Sequence, residues 1–387
     1  MRTESQDYPR VNPVRLRLRA MAQASQRERG GERARSDAAR LLLAAARERF
    51  AAAATDLLLP ERARLTEWQR LTAATLLSRL IRSIEDALRV PLAEHFAEHE
   101  AVAAALSSAH VPIAMPILER AQALGDPELG IVLVRRVEEH RFWTAYGRAA
   151  GEDLLFELVR DTDEALAGEA MALVVARSRR FDRFQEPVLG HVDLPAELQH
   201  KLVWLVAAAL RHYLTQQHGL RAVDAALEHA AVAFISDYDE GAGLEAVAAR
   251  LIRRLQLRQR LEGALLSRML GEGALPLFIA GLGALGGLDH GAAWEVLSDP
   301  RGRGPALLLR AAGIEREDAA GILLLLNSRG RLFSGAEGDA TAEQLELYDS
   351  LDVATAAEVL RLWQADPAYR ASVARISTRT RSGGAAA

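Results

Sequence analysis

Residues 71–92 read LTAATLLSRLIRSIEDALRVPL, and the apolar positions Leu76, Leu77, Leu80, Ile81, Ile84 and Leu88 recur at spacings of three and four. That is the period of one face of an α-helix, in a segment that Pro60 opens. The composition extends the reading to the whole chain. Of 387 residues, 73 are Ala and 61 are Leu, both strong helix formers, whereas Val and Ile together number 33. Convincing period-two alternation over six residues is found nowhere, so the sequence predicts an all-α protein.

Helix signals follow one another with short breaks. Asp37 caps a run through Leu41–Phe50, and Pro91, Pro112, Pro127 and Pro195 stand at or near helix starts, where a missing N–H costs nothing. Acids lead several starts. Taking Asp86, Asp126, Asp163 and Asp193 as markers, the intervals are 40, 37 and 30 residues, which predicts a degenerate HEAT-like helical repeat, an α-solenoid, followed by a second helical domain. The expected division is a flexible Arg-rich arm over 1–36, a helical-repeat domain over 37–235, a second helical domain over 244–375 and a disordered tail over 376–387, with the break at Ser236–Gly243.

Two helices stand out. The run Leu202–Leu210 is uncharged on all sides, which predicts that Trp204 and Leu205 are among the most buried residues. The stretch Leu244–Leu270 reads as one long helix with Leu251, Leu255, Leu266 and Met269 on one side. Arg250, Arg253, Arg254, Arg258 and Arg260 lie on the other, with Leu257, Leu261 and Leu265 interleaved. A second partly apolar face implies a second covering surface, which makes Arg250, Arg254, Leu257, Arg258 and Leu261 the candidate partner-binding residues and a homodimer the favoured assembly.

The chain has no cysteine, so disulfides, thiolate chemistry and Cys-ligated metals are excluded. Net charge is −4, and of 48 basic residues only Lys201 is a lysine. That bias reads as the codon background of a GC-rich genome and discounts each Arg cluster as a sign of nucleic-acid binding. No apolar segment has the length of a membrane span, and no secretory signal is read at the N-terminus, so a cytoplasmic location is expected.

Several motifs hint at chemistry. His95-Phe96-Ala97-Glu98-His99 spells H-x-x-E-H, and on a helix His95 and His99 would face the same way and could share a zinc. The third ligand has no candidate, and the surrounding glutamates read as a solvated helix face, so no tight metal is expected. Gly281-Leu282-Gly283-Ala284-Leu285-Gly286 fits G-x-G-x-x-G, but no second strand follows, and close helix packing explains the glycines better than a nucleotide does. Asp237–Gly241 begins like a calcium loop but has Ala242 and Ala248 where Gly and Glu are needed, so the acids read as preceding and capping the long helix. His140 sits among Glu138, Glu139 and Arg141, as a phosphoacceptor histidine does, yet a half-buried helix histidine is the plainer reading. Arg135-Arg136, Arg179-Arg180 and Arg253-Arg254, with Trp143, Phe181 and Phe184 nearby, could hold phosphates and stack bases on a concave surface.

The stretches Leu71–Leu92, Val111–Leu118 and Leu194–Arg211 together resemble the bacterial domain-of-unknown-function 2336 family over about residues 60–330. The resemblance implies a helical, repeat-like fold and brings no established activity or cofactor. The function expected is therefore a non-enzymatic regulatory or scaffolding protein that binds a protein partner through a helical surface, with a nucleic-acid binder using an Arg-rich concave surface as the alternative.

Overall fold

The first described helix begins at a capping box. Gln69 N donates to Thr66 Oγ1 at 3.2 Å, while Thr66 N donates to Gln69 Oε1 at 2.7 Å. The computed structural model describes residues 65–108, 111–146, 153–299, 302–328, 340–366, 369–370 and 372–373. The expected arm over 1–36, the run Leu41–Phe50 and the tail over 376–387 lie outside the described residues.

Among the described residues the chain is all α-helix with short 3-10 turns and no β-strand. The helices are α1 (Glu67–His95), α2 (Glu100–Ser107), α3 (Ala114–Arg120), α4 (Pro127–Tyr146), α5 (Asp153–Val159), α6 (Glu164–Ser178), α7 (Ala196–His218) and α8 (Asp224–Ser236). They continue as α9 (Leu244–Leu257), α10 (Gly263–Gly271), α11 (Leu275–Gly286), α12 (His290–Leu297), α13 (Gly304–Ala311), α14 (Arg316–Ser328), α15 (Ala340–Ser350) and α16 (Val353–Leu360). None is long and apolar enough to cross a membrane.

Two hydrophobic cores organise them. In the first, α1 packs against α2, α3, α4, α7 and α8, with Leu76, Leu80, Ile81, Ile84, Leu88 and Leu92 forming its buried stripe. Pro91, expected at a helix start, lies inside α1 on its exposed side while Leu92 continues the stripe. The buried Glu85 caps α3, its carboxylate accepting from Ile113 N and Ala114 N at 2.9 and 2.8 Å. Arg89 balances that charge 3.2 Å away. In the second core, α9 packs on α6 and α11, and α13 on α11, α12, α14, α15 and α16. The core boundary does not follow chain order: α5 and α6 contribute Leu154, Leu155, Leu158, Leu166, Ala170 and Leu173 to the second core, while α7 and α8 return to the first.

Two sequence expectations are corrected. The stretch Leu244–Leu270 is two helices, broken over Arg258–Glu262, where Gln259 takes a positive φ of 54°. Leu251, Leu255, Leu266 and Met269 are buried as expected, but the second face came from reading two helix directions as one. Leu261 and Leu265 pack against the second core, and Leu257 alone is strongly exposed, at 71%. Likewise, Trp204 and Leu205 are only half-buried, because α7 is amphipathic: Leu202, Val203, Val206, Ala209, Leu210 and Leu214 form its buried stripe. The G-x-G-x-x-G segment is helical and serves packing. A Cβ on Gly281 would meet Leu266 Cδ2 at 2.7 Å, and one on Gly283 would meet Ala293 Cβ at 3.2 Å.

Candidate functional site: a polar seam between the two cores

Helix α4 crosses from one core to the other. Leu129, Leu133 and Val137 lie in the first, Phe142 in the second, and the charged run Arg135–His140 falls at the crossing. Here a helix has apolar partners on both sides, so its polar residues are trapped between bodies rather than turned to water.

Their compensation comes from distant segments. Arg136 donates from Nε to Val188 O at 3.0 Å and from Nη2 to Arg180 O. Arg180, just past the end of α6, donates from Nη1 to Glu139 Oε2 at 3.3 Å, and its Nε lies 3.0 Å from Asp193 Oδ1. Asp193 is itself oriented by Gly190 N, which donates to its Oδ2 at 3.3 Å. From the second core, Glu245 in the first turn of α9 places Oε1 at 3.5 Å from Arg135 Nη1 and 3.8 Å from His290 Nε2. His290 opens α12 at a position fixed by the Asp289 cap, which accepts from Ala292 N at 2.7 Å. Aromatic rings close one side, with the Trp143 and Phe181 centroids 4.4 Å apart and Arg136 over Phe181 at 5.2 Å.

Burial sets the electrostatics. It lowers the Arg136 guanidinium to about 10, with Arg180 adding to the effect and Glu139 and Asp193 opposing it. Burial also acts to lower Arg180, but Asp193, Glu139 and Glu245 outweigh it and hold that guanidinium charged. Burial acts to raise Glu245, but His290, Arg135 and Arg180 overcome it and bring its carboxyl down to about 2. His290 is pushed below the usual histidine range chiefly by burial. A cavity of about 170 Å³ opens beside the seam, lined by Arg135, Arg136, Glu139, Arg180, Asp193 and Glu245 among others. It can hold water or a small polar species. Glu139, Glu245 and His290 place one ligand atom each within 4.8 Å of one another, the one such group of metal-ligating side chains among the described residues.

The motifs noted in the sequence fall elsewhere or into this seam. His95 ends α1 and His99 precedes α2, so the pair does not share one helix; Phe96 stands between them, its ring 4.8 and 6.4 Å from theirs. Of the Asp237–Gly241 acids, Asp239 caps a 3-10 turn, with Gly241 N donating to its Oδ1 at 2.9 Å, and the expected acid cap on the long helix is replaced by Gly243, the N-cap of α9. His140 is buried against Trp143 and Phe181. Arg135, Arg136 and Arg180 face carboxylates inside the seam, whereas Arg179, Arg253 and Arg254 are exposed. Of the partner-binding candidates, Arg250 donates to Glu169 at 3.0 Å and Arg258 to Asp163 at 2.7 Å within the chain. Leu261 packs on the core, and Arg254 and Leu257 are exposed. Glu245 and His290, which complete the seam, carried no signal in the sequence: 106 and 151 residues separate them from Glu139, and neither sits in a motif.

A family model described as an uncharacterised protein conserved in bacteria, the domain of unknown function 2336, matches residues 148–361. The match includes Arg180, Asp193, Glu245 and His290 and begins just after α4. Of the stretches that carry the resemblance, Leu71–Leu92 and Val111–Leu118 lie outside it, and Leu194–Arg211 lies within. No curated protein and no solved structure matches the chain.

Proposed function

Because the chain belongs to the domain-of-unknown-function 2336 family, whose description prescribes no chemistry, we propose from its geometry that it is a non-enzymatic regulatory or scaffolding protein. It binds a protein partner through its helical surface, and the polar seam between the two cores sets how that surface is presented. The observation that carries this reading is an open groove of about 440 Å³ lined by Ala123, Asp126, His200, Lys201, Trp204 and Leu205. Trp204 is half-buried there, with Nε1 donating to His200 Nε2 at 3.0 Å. A large aromatic and a leucine lining a groove together with Asp126 and Lys201 suit the apolar face of an amphipathic helix. HEAT-like stacking, suggested by the recurrence of Asp86, Asp126, Asp163 and Asp193, would present grooves of this kind between neighbouring units.

The seam supports the regulatory part. Its paired buried charges join segments of both cores, so a ligand bound among them acts on both. The test is affinity capture with the full chain and with Trp204→Asp. A protein retained by the wild type and lost with Trp204→Asp, at unchanged helix content, is the expected result. A captured set indifferent to the substitution, or no capture above background, overturns the reading.

A further inference from the structure

We propose that the seam is a divalent-metal site in which Glu139, Glu245 and His290 bind one cation of the zinc class. Two observations point there independently. The first is the donor set: two carboxylates and one imidazole, drawn from α4, α9 and α12, converge to within 4.8 Å of one another. Three protein ligands with the remaining position left to water is the pattern of an open zinc site, and an imidazole ligand favours zinc and its neighbours over calcium or magnesium. The second is His290 itself. Its side chain is 10% exposed, yet neither Nδ1 nor Nε2 has a hydrogen-bond partner. A buried imidazole with neither nitrogen hydrogen-bonded is costly, and a ligand bound at Nε2 would relieve that cost. Nε2 is directed into the cluster, 3.8 Å from Glu245 Oε1.

The seam's guanidiniums leave room for this. Arg136 and Arg180 approach Glu139 at Oε2, and Arg135 approaches Glu245 at Oε1. Each carboxylate keeps a second oxygen that these ion pairs do not use. Tetrahedral ligand atoms held at about 2.0–2.1 Å lie about 3.3 Å apart, so the three side chains close by roughly 1 Å or more on loading. The cavity of about 170 Å³, lined by Glu139 and Glu245 among others, has room for the water ligand.

This names the ligand class of the seam that the proposed function treats as the point of control, and rests on that reading. Its test is separate because it needs no partner. The full chain, stripped with chelator, is titrated with zinc alone by calorimetry. About one equivalent is expected at the seam, with a rise in the thermal midpoint of the loaded wild type. Glu245→Gln and His290→Gln each weaken that binding at least tenfold, in line with loss of one ligand of three. His95→Ala/His99→Ala leaves it unchanged. If His290→Gln fails to fold, Glu245→Gln, at a side chain 35% exposed, decides alone. No saturable binding by the wild type, undiminished binding in Glu245→Gln, or binding lost only with the His95/His99 pair overturns the site. Zinc binding with no partner captured sinks the proposed function and leaves this inference standing.

Discussion

Arg180 holds Asp193 and Glu139 at once: its Nε lies 3.0 Å from Asp193 Oδ1, and its Nη1 donates to Glu139 Oε2 at 3.3 Å. All three side chains are buried. One guanidinium thus fixes a loop leading to the first core against a helix that spans both, and ties the end of α6, a second-core helix, to each. The planar fork of Arg suits this geometry, and a lysine ammonium does not reproduce it.

Removing that guanidinium leaves Asp193 without its buried counter-charge. Arg180→Met is expected to cost about 3–5 kcal/mol, the range for breaking a buried pair from one side. The contrast is Arg316–Asp349, with side chains 63% and 45% exposed, where Arg316→Ala is expected to cost less than about 1 kcal/mol. Urea unfolding of the two variants checks the pair, and equal small losses would remove the seam's structural role.

His290 gives the seam a pH signature. Burial lowers its pKa first; Arg135 and Arg180 add to that, while Glu245 and Glu139 oppose. Between its native value and the unfolded value of about 6.5, the unfolded chain binds more protons, so stability falls as pH falls through this window and levels off below it. His191, lowered by burial, acts with the same sign. Thermal midpoints at about pH 7.5 and 5.5 are expected to fall further in metal-free wild type than in His290→Gln. Glu245 works in a lower window. Its carboxyl near 2 contributes stability above the ordinary carboxylate range, and that contribution is lost as pH falls toward 2. Equal slopes for the two proteins between pH 7.5 and 5.5 would rule out His290 as the group responsible.

The helical class was legible because Leu76, Leu80, Ile81, Ile84 and Leu88 keep their period wherever α1 goes. Asp163 and Pro127 marked true starts because caps act locally, the Asp163 carboxylate accepting from Ala165 N and Leu166 N and Pro127 opening α4. The break at Arg258–Glu262 carries neither Gly nor Pro before Gly263, and a positive φ at Gln259 has no sequence signal of its own. The seam was half visible: Arg135-Arg136 and Arg179-Arg180 were conspicuous, but whether an Arg pair faces water or carboxylates is decided by tertiary packing. Glu245 and His290 enter the site because two cores meet there, a relation that no local pattern encodes.

Gly304 opens α13 against α12. A Cβ built there would stand 1.7 Å from the Val296 carbonyl oxygen, a backbone atom that cannot rotate away. Gly304→Ala is therefore expected to cost about 3 kcal/mol or more by forcing α12 and α13 apart. Gly168, exposed within α6, has nothing within 4 Å of such a Cβ. Gly168→Ala is expected to stabilise by about 0.5–1 kcal/mol through helix propensity and reduced unfolded-state freedom. Opposite shifts in thermal midpoint are the check, and a neutral Gly304→Ala would contradict the α12–α13 packing.

Trp204 and Leu202 separate the two faces of α7. Leu202 is buried in the first core, and Leu202→Ala is expected to cost about 2–5 kcal/mol, transfer plus cavity. Trp204 has the larger side chain, yet it is half-buried on the groove side and its indole N–H is served by His200. Truncating it removes contact area without opening an internal void, so Trp204→Ala is expected to cost less than about 2 kcal/mol. The order matters, since ranking by side-chain size gives the reverse. Chemical denaturation of the two variants measures it directly. A larger loss for Trp204→Ala would return that residue to the core and close the groove on which partner binding depends. With the smaller loss, a drop in partner capture by Trp204→Asp is an effect on binding and not on folding.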